Sequence, residues 1–176
     1  MQIRKLERQE IRDLWSIDRA EVVENVYHRE GNELVLRPEH CDVMGWPPGE
    51  PEHYGPILLD CFDGGGTFYG AFDGQMLIGA TVLESRFIGR EKDQLQLKFL
   101  HVSRRNRQAG LGRTLFEKAV AKARELGARR LYISSTPSEN TVRFYLRRGA
   151  RLADDLDAAL FELEPEDIHL EFDIPG

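Results

Sequence analysis

Three absences narrow the kinds of protein that this 176-residue chain can be. It has only two cysteines, Cys41 and Cys61, which are too few for a disulfide scaffold and are expected to be reduced. No apolar run approaches the roughly 18 residues that a membrane-spanning helix needs. The charged start of the chain, residues 1–5, is not followed by an apolar signal region. The sequence therefore argues against a disulfide-rich secreted fold and a membrane protein, and it predicts a cytoplasmic location.

The chain is also poor in the features of a nucleic-acid-binding surface. Its net charge is −6, but residues 104–151 hold thirteen Lys and Arg against three Glu, a local +10 that leaves −16 for the rest. Such a division favours a polyanion on one side and a cation on the other. The basic residues lie at helix-surface spacing without an aromatic stacking platform, so we expect no nucleic-acid partner.

A metal site is not expected either. His40, Cys41, His53 and Cys61 are the candidate ligands, but their spacing fits none of the paired zinc patterns.

With 41% hydrophobic and 31% charged residues, the chain is expected to form one globular domain over residues 1–176.

The first third of the chain gives the weakest structural signals. Residues 1–6 alternate loosely and predict an edge strand, and apolar residues at mostly helical spacing predict a helix over residues 9–29, interrupted near Asp18. Residues 33–55 are rich in proline and glycine, which predicts an irregular loop. A short helix is expected over residues 52–62.

The remainder predicts an antiparallel meander followed by alternating helices and strands. Asp73-Gly74 is a two-residue hairpin signal between strands over residues 67–73 and 75–85. A capping box at residues 136–139, with Pro137 at the first helical position, predicts a helix that runs to Arg148. The other elements expected are a strand over 95–102, a helix over 110–126, a strand over 130–134, a short strand at Arg151, an acidic loop to Pro165 and a strand over 168–174.

The most informative stretch is Arg107-Gln108-Ala109-Gly110-Leu111-Gly112, between the predicted strand 95–102 and the predicted helix 110–126. The first turn of a helix has unpaired N–H groups and a partial positive charge, and glycine lets an anion approach them. A P-loop is excluded because no Gly-Lys-Ser/Thr follows, and the dinucleotide fingerprint would need a third glycine. The stretch therefore predicts a phosphate site of another class.

Two segments together carry a resemblance to a known family. The stretch 107–112 resembles the acyl-CoA signature of the GCN5-related N-acetyltransferases (GNAT), whose pattern is Gln/Arg-x-x-Gly-x-Gly/Ala. Residues 140–150 resemble that family's Asn-x-x-x-x-Phe-Tyr-x-x-x-Gly-Phe segment, with three rather than four residues between Asn140 and Phe144 and with Ala150 in place of the usual Phe. The joint match covers residues 95–150.

This resemblance implies an α/β fold with a mixed, mostly antiparallel sheet flanked by helices and a central strand-turn-helix-strand crossover. It implies an enzyme that moves an acetyl group from acetyl-CoA, the acyl-donor cosubstrate, to a primary amine of a small molecule or peptide. A homodimer is left open. The acidic remainder of the chain favours a small cationic acceptor. Two other functions stay open, a non-catalytic module that senses acyl-CoA and a generic nucleotide-binding α/β domain.

The resemblance also assigns roles to individual residues. Backbone groups of Leu100 and Val102, on either side of His101, would pair with the pantetheine arm, and Asn140 would bind the pantetheine or an ordered water. Tyr145 would be the general acid that protonates the departing thiolate. Amides from Gln108 to Arg113 would hold the pyrophosphate, with charge from Arg107 or Arg113. The full set of expected cofactor-binding residues is Leu100, His101, Val102, Arg107, Gln108, Ala109, Gly110, Leu111, Gly112, Arg113 and Asn140.

The general base is the least defined of these roles. Gln96 and Lys98 occupy the strand positions where the family often has a Glu or His, and neither is a ready base. Glu84, near the end of the neighbouring hairpin strand, is the first candidate, directly or through water. His101 is the second, although simple alternation points it away from Gln96 and Lys98; an amine that is already neutral would need no base. The residues His40, Asp42, Trp46, His53 and Tyr54 are candidates for the acceptor pocket.

Overall fold

The structure, a computed structural model, describes residues Met1–Gly176. The chain forms two compact units, the first made of Met1–Glu21, Val43–Arg86 and Leu97–Lys122, and the second of Val22–Asp42, Phe87–Gln96 and Ala123–Gly176. The strands are β1 (Gln2–Lys5), β2 (Glu21–Glu30), β3 (Glu33–Val43), β4 (Thr67–Asp73), β5 (Met76–Leu83), β6 (Gln94–Val102), β7 (Arg130–Ser135), β8 (Arg151–Leu152) and β9 (Ile168–Asp173). The α-helices are α1 (Glu50–Asp63), α2 (Leu111–Glu125), α3 (Glu139–Leu146) and α4 (Ala158–Leu163), and 3₁₀ helices span Arg8–Ser16 and Arg104–Asn106.

The first unit contains four antiparallel strands in the order β1-β4-β5-β6. The β4–β5 hairpin turns at Gly74, whose φ of +58° suits a residue without a Cβ. The pairing of β5 with β6 shifts between Val82 and Leu83, which lie opposite Phe99 and Leu97. Lys98 is thus an extra residue on β6, a β-bulge.

Two apolar clusters fix the helices of this unit to its strands. The larger joins the 3₁₀ helix at Arg8–Ser16 and α1 to strands β4, β5 and β6, through side chains such as Leu14, Leu58, Val82 and Phe99. The smaller joins α2 to the strands. Its members are Ala71, Ile78, Leu111 and Leu115, with Ile3, Leu100 and Val102 packed against them.

The second unit contains the antiparallel strands β7, β9 and β8 in that order, and the separate two-stranded sheet of β2 and β3. Strand β2 continues its pairing onto residues 137 and 138, because Tyr27 donates its N–H to the Pro137 carbonyl (2.8 Å) and Val26 bridges Ser138. The central strands β7 and β9 are buried along most of their length.

The predicted fold class is confirmed: this is an α/β protein whose strands pair mostly antiparallel and are flanked by helices. The hairpin at Asp73-Gly74, the strand-turn-helix-strand order of β6, α2 and β7, and the closing strand all lie where they were predicted. None of the helices combines the length and apolar composition that crossing a membrane requires.

The helix predicted over residues 9–29 is wrong beyond Ser16. The 3₁₀ helix ends there, and Glu21–Glu30 is strand β2. Apolar residues at Ile11, Leu14 and Ile17 face the core, as a helical pattern requires, but in β2 only Val23 is buried. Pairing with β3 across the turn at Gly31 (φ +62°) outweighed the apparent helical spacing.

The irregular loop predicted over residues 33–55 is also wrong in its first part. Glu33–Val43 is strand β3, and it contains Pro38. Both strands of a two-stranded sheet are edge strands, where a proline, which has no N–H donor, is tolerated. The helix expected over residues 52–62 is confirmed as α1, which begins at Glu50.

The capping box at residues 136–139 is a third correction. Helix α3 begins at Glu139 with Ser138 as its N-cap, and no side-chain capping hydrogen bond forms. Pro137 does not enter the helix, because its carbonyl accepts the Tyr27 N–H in an extended conformation. The acidic loop before Pro165 contains the short helix α4, capped by Asp157, whose side chain accepts the Leu160 N–H.

Candidate active site

The segment between β6 and α2 contains two residues whose backbone geometry few residues adopt. Gln108 has φ of +67° and Gly110 has φ of +82°, both in the left-handed region. A Cβ on Gly110 would meet no atom within 4 Å, so the space in front of the helix is open. We call residues 107–113 the glycine turn.

The glycine turn presents backbone donors rather than side chains. Thr114 is the first residue whose N–H reaches a preceding carbonyl, that of Gly110 (3.0 Å). The N–H groups at the start of α2 therefore have no partner within the helix. Leu111 is buried among the apolar side chains of the smaller cluster and fixes this end of α2 to the strands. Gln108, Ala109 and Gly110 are exposed.

The two arginines expected to add charge at the glycine turn are engaged elsewhere. The Arg107 guanidinium donates to the carbonyls of Val102 (2.9 Å), Ala20 (3.2 Å) and Asp18 (3.5 Å). The exposed Arg113 donates to Glu117 one helical turn later (2.7 Å). The donors left for an anion in the turn are therefore mainly its backbone N–H groups.

The two faces of β6 carry different residues at the end of the strand. Leu100 and Val102 pack with Leu111 and the rest of the smaller cluster, while Phe99 belongs to the larger cluster. The bulge at Lys98 interrupts alternation, so Lys98 reaches the face of Val82 and Glu84. The expectation that His101 points away from Lys98 is therefore wrong, since His101 contacts Phe99 on this same face.

Glu84 is a buried carboxylate with a cation beside it. Its Oε2 lies 3.4 Å from the Lys98 Nζ, and the two side chains are only 7% and 14% exposed. Its Oε1 accepts the Ser85 N–H (2.8 Å). Burial, and then the Glu84 charge, raise the pKa of the Cys61 thiol to about 12, so this cysteine stays protonated. The expected base is thus a buried carboxylate held by Lys98 and backbone amides.

His101 lies among aromatic rings beside the end of β6. Its ring centroid is 4.6 Å from that of Phe99 and 4.9 Å from that of Trp46, and Trp46 in turn contacts Trp15 at 4.9 Å. We call Trp15, Trp46, Phe99 and His101 the aromatic cluster. Burial, with smaller effects of the Arg19 and Arg107 charges, lowers the pKa of His101 to about 3. The imidazole is therefore neutral at pH 7 and weakly basic.

The second unit holds the other two residues expected in the site, both on α3. Asn140 lies exposed in the first turn of the helix. Tyr145 is 6% exposed, and its ring packs edge-on against Phe144 at 5.1 Å. Burial raises the pKa of the Tyr145 phenol above its ordinary value, so the hydroxyl keeps its proton at neutral pH.

The candidates for the acceptor pocket fall into three places. His40 and Asp42 are exposed on β3, where His40 bonds Glu24 (3.2 Å), and this carboxylate raises the pKa of His40. His53 and Tyr54 lie on α1 with their rings 4.9 Å apart. Only Trp46 belongs to the aromatic cluster. No group of three or more His, Cys, Asp or Glu side chains is arranged to hold a metal ion, and both cysteines are free.

The sequence profile of the Acetyltransferase (GNAT) family matches residues 31–150, more than half of the chain. The chain belongs to the GNAT acetyltransferase family. No curated protein sequence matches this acetyltransferase.

Solved structures show the same fold at low sequence identity. This GNAT acetyltransferase is similar to nourseothricin acetyltransferase, with a TM-score of 0.73, 19% identity and coverage of 99% of this chain and 98% of that chain. A Bacillus anthracis protein provisionally named a streptothricin acetyltransferase, solved with acetyl coenzyme A, has a TM-score of 0.68 and 16% identity, and the match covers 99% of this chain and 98% of that chain. The PaiA N-acetyltransferase of Thermoplasma acidophilum, solved with coenzyme A, has a TM-score of 0.63 and 17% identity, and the match covers 98% of each chain.

Sequence reasoning missed two features of this acetyltransferase. One is the bulge at Lys98, for which the adjacent apolar pair Phe99-Leu100 at the end of an alternating run is the available signal. The other is the fixation of residues 17–20 to the end of β6 by Arg107. No sequence signal reports it, because the acceptors are backbone carbonyls that every residue carries.

Proposed function

We propose that this GNAT acetyltransferase transfers an acetyl group from acetyl-CoA to a primary amine of a small molecule or peptide. The observation that carries the proposal is the glycine turn, with its left-handed Gly110, open approach and helix-start N–H groups free of helical partners. Acetyl coenzyme A in the Bacillus anthracis structure and coenzyme A in that of Thermoplasma acidophilum support the choice of donor.

In the proposed reaction, the neutral amine attacks the thioester carbonyl carbon directly. The tetrahedral intermediate then breaks its carbon–sulfur bond, coenzyme A leaves as a thiolate, and the amine nitrogen loses one proton. The backbone of Leu100 and Val102 pairs with the pantetheine arm, and Asn140 bonds the pantetheine or an ordered water. Amides from Gln108 to Arg113 hold the pyrophosphate.

Two side chains exchange protons in this scheme. Tyr145 donates to the departing thiolate, a role supported by a buried phenol that is protonated at neutral pH. Glu84 accepts the amine proton, directly or through water, and the position of its carboxylate beside Lys98 supports this role. His101 is the weaker candidate, since a group with a pKa of about 3 takes up a proton poorly at pH 7.

The donor is tested by calorimetric titration of the protein with acetyl-CoA, with coenzyme A, NAD and ATP as controls. We expect micromolar binding of acetyl-CoA and little response to NAD or ATP. Coenzyme A release with a panel of primary amines then tests transfer. Equal binding of ATP and acetyl-CoA would contradict the proposal, because a generic nucleotide site does not use the pantetheine arm.

The Tyr145→Phe variant separates an enzyme from a module that only senses acyl-CoA. We expect kcat to fall by about 10²- to 10⁴-fold, the usual contribution of a positioned acid, with the acetyl-CoA Kd unchanged. Coenzyme A release assays measure kcat, and calorimetry measures the acetyl-CoA Kd. Tyr69→Phe, at a partly exposed tyrosine of β4, is the matched control. An unchanged kcat would remove Tyr145 from the mechanism.

A further inference from the structure

Residues 17–20, between the first 3₁₀ helix and β2, are fixed to the end of β6. The Asp18 carbonyl accepts the Arg104 N–H (2.9 Å), and the Asp18 N–H donates to the Ser103 Oγ (3.1 Å). Arg107 adds its hydrogen bonds to the Asp18 and Ala20 carbonyls. The residue between these two acceptors, Arg19, is therefore held beside the end of β6 by its backbone neighbours.

The Arg19 side chain lies on the aromatic cluster. Its guanidinium carbon is 5.0 Å from the centroid of the Trp46 ring, and the side chain is only 17% exposed. Trp46 cannot move away freely, because its Nε1–H donates to the Ile17 carbonyl (2.9 Å) and its ring stacks on Phe99 at 5.7 Å. An immobile aromatic ring thus orients a largely buried cation.

This cation has donors to spare. Its nearest carboxylate oxygen, Oε1 of Glu50, is 4.0 Å from the Arg19 Nη1, at the outer limit of an ion pair and beyond hydrogen-bond distance. A guanidinium carries five N–H donors in a planar fork. Other arginines of the same unit use theirs: Arg8 holds both oxygens of Asp63 (2.7 and 2.8 Å), and Arg4 holds both of Glu10 (2.8 and 2.6 Å). Arg19, in contrast, holds no carboxylate oxygen at hydrogen-bond distance.

We propose that Arg19 binds the carboxylate of the acceptor, so that the substrate is an amine that also bears a carboxylate, such as an amino acid. The inference rests on the proposed function. A planar fork above a fixed ring matches a carboxylate, which two parallel N–H donors can bind at once.

The position of Arg19 favours the acceptor over the coenzyme as the source of the anion. Arg19 lies with Trp46, Phe99 and His101, on the face of β6 opposite Leu100 and Val102, which pack with Leu111 of the glycine turn. The Arg19 charge also contributes to lowering the pKa of His101, so this face carries the Arg19 cation beside a neutral imidazole. An anion bound there would be neutralised by Arg19 directly.

The experiment compares amines that differ only in a carboxylate. L-Phenylalanine and 2-phenylethylamine form one pair, and L-lysine and 1,5-diaminopentane the other, each assayed by coenzyme A release with the full-length protein. We expect the carboxylated member to be the better substrate, and Arg19→Gln to lower its kcat/KM by about ten- to a hundredfold through KM. The decarboxylated member should lose less than about twofold, within the error of such assays. Arg12→Gln, at an exposed arginine of the preceding helix, is the matched control.

Three results would overturn the inference. The first is an equal loss for both members of a pair in Arg19→Gln, and the second is a preference for the decarboxylated amines in the unmodified protein. The third is a tenfold weaker calorimetric Kd for acetyl-CoA in Arg19→Gln, which would assign Arg19 to a phosphate of the donor. Thermal unfolding of each variant shows whether it is folded.

A binding assay keeps the inference separate from the acetyl-transfer proposal. The tryptophan fluorescence of the aromatic cluster, from Trp15 and Trp46, is titrated with N-acetyl-L-phenylalanine and with N-acetyl-2-phenylethylamine in the presence of coenzyme A. A change seen only with the carboxylated compound, and lost in Arg19→Gln, supports the inference even if no amine is acetylated. Acetylation without any such difference leaves the transfer reaction standing and rejects the role of Arg19.

Discussion

The glycine turn and the aromatic cluster lie at the same end of β6 and offer a ligand different kinds of group. The turn offers backbone N–H groups from one short stretch of sequence, and both of its arginines are engaged elsewhere. The cluster offers side chains gathered from positions 15, 46, 99 and 101, with the cation of Arg19 above them. A site made of backbone suits a group common to every reaction, whereas a site made of side chains can differ from one substrate to the next.

The largest effect is expected from closing the glycine turn. Replacing Gly110 and Gly112 together by Val places a β-branched residue at φ +82° and covers the N–H groups. Losing two or three charge-assisted hydrogen bonds should weaken acetyl-CoA binding by about a hundredfold or more. Calorimetry measures the affinity, and circular dichroism checks that the fold is kept.

Gly74→Val is the control for that double variant. Gly74 has a similar left-handed φ at the β4–β5 hairpin, so its replacement should lower the melting temperature and leave the acetyl-CoA Kd unchanged. If the double variant binds acetyl-CoA as tightly as the unmodified protein, the glycine turn is only a chain reversal.

The second effect concerns the Glu84–Lys98 pair on the cluster side of β6. Glu84→Gln leaves Lys98 without its carboxylate in a nearly buried position, and the free energy of unfolding should fall by about 3 kcal/mol. The acetylation rate should fall by about a hundredfold or more if Glu84 is the base. Urea unfolding and coenzyme A release measure the two quantities.

A second substitution distinguishes chemistry from packing at this pair. Adding Lys98→Met to Glu84→Gln removes the stranded charge, so stability should recover while the rate stays low. Recovery of the rate together with stability would show that Glu84 serves the structure of the strand end and is not the base.

A smaller effect is expected from the arginine that connects residues 17–20 to β6. Arg107→Met removes hydrogen bonds to three backbone carbonyls, which should cost about 2 kcal/mol of unfolding free energy in urea denaturation. Arg113→Met, which breaks an exposed pair one helical turn apart, should cost less than about 0.5 kcal/mol. Equal costs would mean that Arg107 is an ordinary surface arginine.

The last effect, similar in size to that of Arg107→Met, is a pH dependence that originates in the aromatic cluster. His101 has a native pKa of about 3, below its unfolded value, so on acidification the unfolded chain binds a proton that the native state excludes. Stability should therefore fall as the pH drops below about 6.5, with a slope from this group approaching about 1.4 kcal/mol per pH unit. Urea midpoints at pH 7 and pH 5 measure the dependence. His101→Gln should reduce it, and His53→Gln, at an exposed histidine of α1, should not.

The two regions also differ in how far they could be predicted from the sequence. The glycine turn with Gly110 and Gly112 was predictable, because the start of a helix and a left-handed residue depend on only a few consecutive positions. The hairpin at Asp73-Gly74 was predictable for the same reason. The contact of Trp46 with His101 joins residues 55 positions apart, and no local pattern encodes it. Strand β2 was mistaken for helix because its partner β3 contains a proline, which conceals the hairpin.

The extra residue at Lys98 acts as a phase shift within one strand. Residues before it and after it follow different rules for which side of the sheet they occupy, although the chain between them is continuous. Deleting this single residue would place Leu97 next to Phe99, and because these two already lie opposite the adjacent residues Leu83 and Val82, every other residue of the strand would keep its side. If Lys98 instead stayed in the chain and paired as a regular strand residue, the aromatic side chains and the pair Leu100 and Val102 would trade places relative to the rest of the strand. At this strand end, chain length rather than residue type decides which face receives each side chain.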